Sequence, residues 1–105
     1  MTDLPGECPP APVPPGWLSR DMAIVNRKGL HARASAKFVQ TVDRFDAEVT
    51  VTRCGETVGG RSIMGLLTLG AARGTSITVA AAGREAGPCL DALAALLANR
   101  FGEDE

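Results

Sequence analysis

The period of the apolar residues switches repeatedly along this chain, and that switching limits the possible folds more than any other feature. In "AEVTVTR" the alternation is strict: Ala47, Val49 and Val51 fall on one side, Glu48, Thr50 and Thr52 on the other. A period of two marks a strand with one buried and one solvated face. Upstream, Ala34, Phe38, Val42 and Phe45 recur at helical spacing, with Lys37, Gln40, Asp43 and Arg44 elsewhere, which predicts a helix from Ala32 to Phe45. "SRDMAIV" sets Met22 and Ile24 on one face of a short strand, and "SITVAAA" does the same with Ile77 and Val79. "CGE" reads as a tight turn into another strand near "ETVGG". "SIMGLLTLGA" is a short helix opened by Ser62 and closed around Gly70. "AGPCLDALAALLANRF" is a longer helix, with proline near its first turn and Leu90, Leu93 and Leu97 along one stripe.

The predicted order is therefore βαββαβα. Half-solvated strands place the chain in the α+β class, as an open-faced two-layer sandwich. Its four-stranded sheet, antiparallel or mixed, is covered on one face by helices. A length of 105 residues points to one domain, able to bury roughly 60–70% of its unfolded surface. Six of the seven prolines lie within the first fifteen residues, where they prevent helix and sheet ladders. Residues 1–16 are accordingly expected to form a Pro-rich disordered extension, 17–101 the folded domain and 102–105 an acidic C-terminal tail.

Composition excludes several classes of function. A net charge of -1, one Trp, three Phe and no Tyr supply neither the basic excess nor the stacking platform of a nucleic-acid binder. No apolar run approaches the roughly 20 residues that span a bilayer. "MTDLPGECPP" lacks the basic and apolar parts of a secretory leader. A cytoplasmic protein without membrane insertion is expected. The odd cysteine count (Cys8, Cys54, Cys89), with no metal-type spacing, points to reduced thiols and no metal site.

The stretch "NRKGLHARASAKFV" holds the only histidine, His31. The helical period begins immediately after it, so His31 falls at or beside the N-cap. The first-turn N–H groups that follow, those of Ala32, Ala34 and Ser35 among them, are expected to lack intrahelical partners and to cradle an anion. Arg27, Lys28, Arg33 and Lys37 add positive charge, and no acidic residue occurs between Asp21 and Asp43. The helix dipole and these cations disfavour imidazolium, leaving a lone pair able to attack phosphorus. Negative charge brought in on a phosphoryl group would then meet waiting donors. Taken by itself, one histidine at a helix start more often marks a capping or surface residue without chemistry. A general-base role is weaker still, because no nearby carboxylate orients the ring.

"GLHARASAKFV", followed a strand pair later by "GGRSIMGLLTLGA", resembles the HPr family, the histidine phosphocarriers of the bacterial phosphoenolpyruvate-dependent phosphotransferase system. The resemblance runs from about Leu18 to Arg100 and carries the same element order. It implies that His31 is phosphorylated on Nδ1 by phospho-enzyme I and passes the group to an EIIA-type protein. Arg33 would hold the phosphoryl oxygens. The phosphoryl group derives from phosphoenolpyruvate through enzyme I and no cofactor is needed. Such a protein is a stoichiometric carrier rather than a stand-alone enzyme. Many sugar-branch members have proline after the arginine, where this chain has Ala34. "HARASAK" is more similar to the nitrogen-regulatory variants called NPr, so the output is either sugar uptake or nitrogen and carbon regulation.

The same resemblance makes Ser62 the regulatory serine of HPr kinase/phosphorylase. Ile63, Met64, Leu66 and Leu67 cannot all face the core of so short a helix. With Ala36 and Val39, the exposed members Ile63 and Met64 are expected to form a partner interface. A carrier that visits several partners needs a free face, so a monomer is expected. The alternative reading is a regulatory binding module controlled by phosphorylation of Ser62, with His31 idle.

Overall fold

The computed structural model describes residues 12–103. Of the Pro-rich extension expected over 1–16, most lies outside the described residues. The elements are β1 (Leu18–Ala23), α1 (Ala32–Val42), β2 (Glu48–Arg53), β3 (Glu56–Gly59), α2 (Ile63–Thr68), β4 (Ser76–Ala82) and α3 (Ala86–Ala98), followed by a short turn over Arg100–Gly102. The predicted βαββαβα order is the observed one.

The sheet has the order β1-β4-β2-β3, and every pairing is antiparallel. Val49 and Val51 of β2 and Ile77, Val79 and Ala81 of β4 face the helices and are buried, as the period of two requires. The opposite face carries threonines: the Thr52 and Thr57 hydroxyls are 2.8 Å apart across β2 and β3. Arg53 pairs with Glu56, so the β2–β3 hairpin closes through only Cys54 and Gly55. Both have positive φ, 52° and 81°, the geometry that a two-residue hairpin selects.

The helices contribute Ala34, Phe38 and Val42 from α1, Leu66 from α2, and Leu90, Leu93 and Leu97 from α3 to the same core. The helix predicted to reach Phe45 stops at Val42. The Asp43, Arg44 and Phe45 amides donate instead to Val39, Thr41 and Val42, and Phe45 packs on the core from the following turn. Ile24 is buried as expected, although the strand ends one residue before it.

Among the described residues no helix is long and apolar enough to cross a membrane. Cys89 is a free, buried thiol, pushed up by that burial. Cys54 is disulfide-bonded, which corrects the expectation that all three cysteines are reduced. It stands exposed at the tip of the hairpin, away from the core that shelters Cys89.

Candidate active site

The loop between β1 and α1 is held to the body of the domain at Gly29. Its φ is +69°, and a Cβ there would lie 2.6 Å from the Ala71 carbonyl oxygen. Only glycine allows that approach. The next amide, Leu30 N–H, donates to the same carbonyl at 2.9 Å. His31 follows as the N-cap of α1, with extended backbone (φ -83°, ψ -176°) and no capping bond from its side chain. The ring is thereby left for other contacts.

The ring lies at a cavity of about 780 Å³ whose wall includes Arg27, Lys28, Arg33 and Lys37. This is the cationic setting predicted for it, and Arg33 is exposed within it. The anion cradle is narrower than predicted. The Ser35 N–H donates to the His31 carbonyl at 2.8 Å, closing the first turn of the helix, and so has no free valence. As the fourth residue after the cap, Ser35 is the first whose amide reaches an intrahelical acceptor. Ala34 is fully buried. The accessible first-turn residues are Ala32 and Arg33.

The larger correction is an acidic partner for His31. Nε2 of His31 lies 2.5 Å from Oε2 of Glu103, with the two side chains 29% and 14% exposed. The local sequence around His31 contains no acid, and the carboxylate comes from the far end of the chain. Helix α3 ends at Ala98, and Arg100, Phe101 and Gly102 all take positive φ (54°, 56° and 73°). The two non-glycine residues cost about 1–2 kcal/mol each in that conformation. Burial of the Phe101 side chain and a 2.5 Å bond from Lys37 Nζ to the Phe101 carbonyl hold the turn against this cost. The reversal brings Glu103 back over the start of α1.

A buried asparagine completes the contact. Asn26 Nδ2 donates to the Gly29 carbonyl at 2.7 Å and to Glu103 Oε1 at 3.1 Å. Both partners are acceptors, which fixes the orientation of the Asn26 amide. Each carboxylate oxygen of Glu103 is thus engaged, one by Asn26 and one by His31. Desolvation works to raise the Glu103 carboxyl. The hydrogen bonds from His31 and Asn26, with the charges of His31 and Lys28, outweigh it and hold the group below its ordinary value. With Glu103 ionised its carboxylate can only accept, so Nε2 carries the proton shared with it, and Nδ1 makes no hydrogen bond among the described residues.

Ser62 caps α2, its Oγ accepting from Gly65 N–H at 2.9 Å. Next to it Met64 is 72% and Ile63 39% exposed, whereas Leu66 is wholly buried. Leu67 and Ala36 are half-buried, and so is Val39, which packs on the core and presents only part of its surface. The contributions of Glu103 and Asn26 were missed from sequence. The only available signal was the "EDE" end of the chain, within the 102–105 stretch expected to form an acidic C-terminal tail.

A small open-faced α+β sandwich carrying a helix-capping histidine among cations defines a protein of the phosphocarrier class. The family described as PTS HPr component phosphorylation site matches residues 18–99, and this chain belongs to that HPr family. It is 47% identical to the phosphocarrier protein HPr of Cupriavidus necator over 84% of this chain and 99% of the relative. It is 38% identical to the phosphocarrier protein NPr of Shewanella violacea, over 82% of this chain and 94% of that protein. The crystal structure of HPr-C-His from Thermoanaerobacter tengcongensis superposes with a TM-score of 0.79 at 34% identity, covering 84% of this chain and 99% of the other.

Proposed function

We propose that this chain carries a phosphoryl group on His31, accepting it from phospho-enzyme I and passing it to an EIIA-type protein. The observation that carries this reading is the setting of the ring: Nε2 is held by a carboxylate, Nδ1 makes no hydrogen bond among the described residues, and four cations line the cavity beside it. The Nδ1 lone pair is the nucleophile, and Arg33 with the first-turn amides balances the charge of the phosphoryl oxygens. Neither half-reaction is complete without the partner protein, so the chain works stoichiometrically. Ile63, Met64 and the exposed part of Val39, with Ala36, form the surface on which both partners dock. The branch served, sugar uptake or nitrogen and carbon regulation, is set by which EIIA-type protein accepts the group.

Incubation with phosphoenolpyruvate, Mg2+ and a matched enzyme I tests this. Acid-labile phosphate is expected on His31 and is absent from His31→Ala. Failure to label the wild-type protein would remove the carrier reading.

A second, compatible reading concerns Ser62. It is exposed at the head of α2, beside the docking residues Ile63 and Met64. Its hydroxyl is open to a kinase of the HPr kinase/phosphorylase type, and a phosphate at that helix start is electrostatically tolerated. Added charge there weakens docking of enzyme I.

A further inference from the structure

We infer that Glu103 is a positioning residue for phosphoryl transfer: with Asn26 behind it, its carboxylate holds the Nε2 proton of His31 throughout the cycle, so that Nδ1 alone gains and loses phosphorus. This rests on the carrier reading above. Three observations converge on it. The carboxylate is bound at both oxygens, by His31 at 2.5 Å and by the fully buried Asn26 at 3.1 Å. The turn that delivers it is built from two strained non-glycine residues and anchored by the buried Phe101 and by Lys37. Finally, among the described residues it is the single acidic side chain in a cavity wall otherwise charged by Arg27 and Lys28 from the loop and Arg33 and Lys37 from α1. An acid in such a place opposes anion binding unless it has another task.

The chemistry supplies that task. When the Nδ1 lone pair forms the new N–P bond, the donor's bond to phosphorus breaks and its electron pair stays with the donor. The His31 ring keeps its Nε2 proton and is now a cation, which the Glu103 carboxylate stabilises. In the onward step the N–P electron pair returns to Nδ1 as the acceptor's lone pair bonds to phosphorus. The ring then leaves as neutral imidazole. No proton moves in either direction. Without the carboxylate the four cations would favour loss of the Nε2 proton, and the ring would have to leave as an imidazolate anion, a far poorer leaving group.

The experiment compares wild type, Glu103→Gln, Glu103→Asp and Asn26→Ala after ring-15N labelling and phosphorylation by enzyme I and phosphoenolpyruvate. In Glu103→Gln, onward transfer to the EIIA-type acceptor is expected to slow about tenfold, as befits loss of one charge-assisted hydrogen bond. The pH at which the phosphorylated ring gives up its Nε2 proton, read from the 15N shift, should fall by about one unit. Glu103→Asp should recover part of both effects, and Asn26→Ala should show both in weaker form. Slower transfer with the Nε2 titration unmoved would mean a merely structural role and overturn the inference, as would variants matching wild type in both readouts. A wild-type protein that enzyme I cannot label at all would instead overturn the carrier reading.

Discussion

His31 and Glu103 stand 72 residues apart in the chain and 2.5 Å apart in the fold, nitrogen to carboxylate oxygen. The contact joins the N-cap of the first helix to the segment that follows the last one.

The first consequence is a dependence of stability on pH. Glu103 has a folded-state value held below its ordinary 4.5. A carboxyl depressed on folding stabilises the native state above its unfolded value, and the contribution is lost as pH falls through the folded one. Thermal melts of wild type and Glu103→Gln should therefore differ at pH 7. The difference should shrink as the pH drops below about 4.5 and vanish in stronger acid. A difference constant with pH would show that the carboxylate is not held in this way.

Gly29 controls where the ring sits. An alanine there would place Cβ 2.6 Å from a backbone oxygen in a left-handed conformation. Gly29→Ala is expected to cost about 2–3 kcal/mol in urea unfolding. It should also slow phosphorylation of His31, because the loop can relieve the clash only by shifting the N-cap. Wild-type values of both would contradict the close approach.

Arg33 is exposed and contributes no core packing. Arg33→Ala should leave the melting temperature within about 1–2 °C of wild type, as exposed substitutions do. Its kcat/KM for transfer from phospho-enzyme I should fall about 10- to 100-fold, the scale of losing a group that balances transition-state charge. Arg33→Lys should recover only part, since an ammonium cannot bind two phosphoryl oxygens side by side.

Ser62 separates capping from regulation. Ser62→Ala removes the acceptor for the Gly65 amide and should cost about 1 kcal/mol. Ser62→Asp retains an acceptor and adds charge. It should therefore be more stable than Ser62→Ala yet transfer more slowly from enzyme I. Transfer at the wild-type rate in Ser62→Asp would remove the regulatory reading.

Most of the fold was legible because the signals are local. Val49 and Val51 alternate with threonines, so β2 could be placed with its faces assigned. Cys54 and Gly55 could be read as the hairpin turn, and Ser62 as a cap, from a few neighbouring residues. The end of α1 was misplaced by three residues. Phe45 keeps the helical period and still reaches the core, but does so from a turn.

What the sequence determined by itself is the set of elements, their buried faces, and a histidine opening a helix among cations. Periodicity, capping and charge are each settled within a few residues. Only the tertiary structure decided which acid meets that histidine and which backbone amides remain open. Glu103 in isolation is one of three acidic residues in a charged tail. It becomes the partner of His31 because Phe101 is pulled into the core, the chain reverses through a left-handed turn, and Asn26 has an amide waiting. None of these is visible in a window of sequence, since each depends on burial that exists only once α3 has packed against α1 and the sheet.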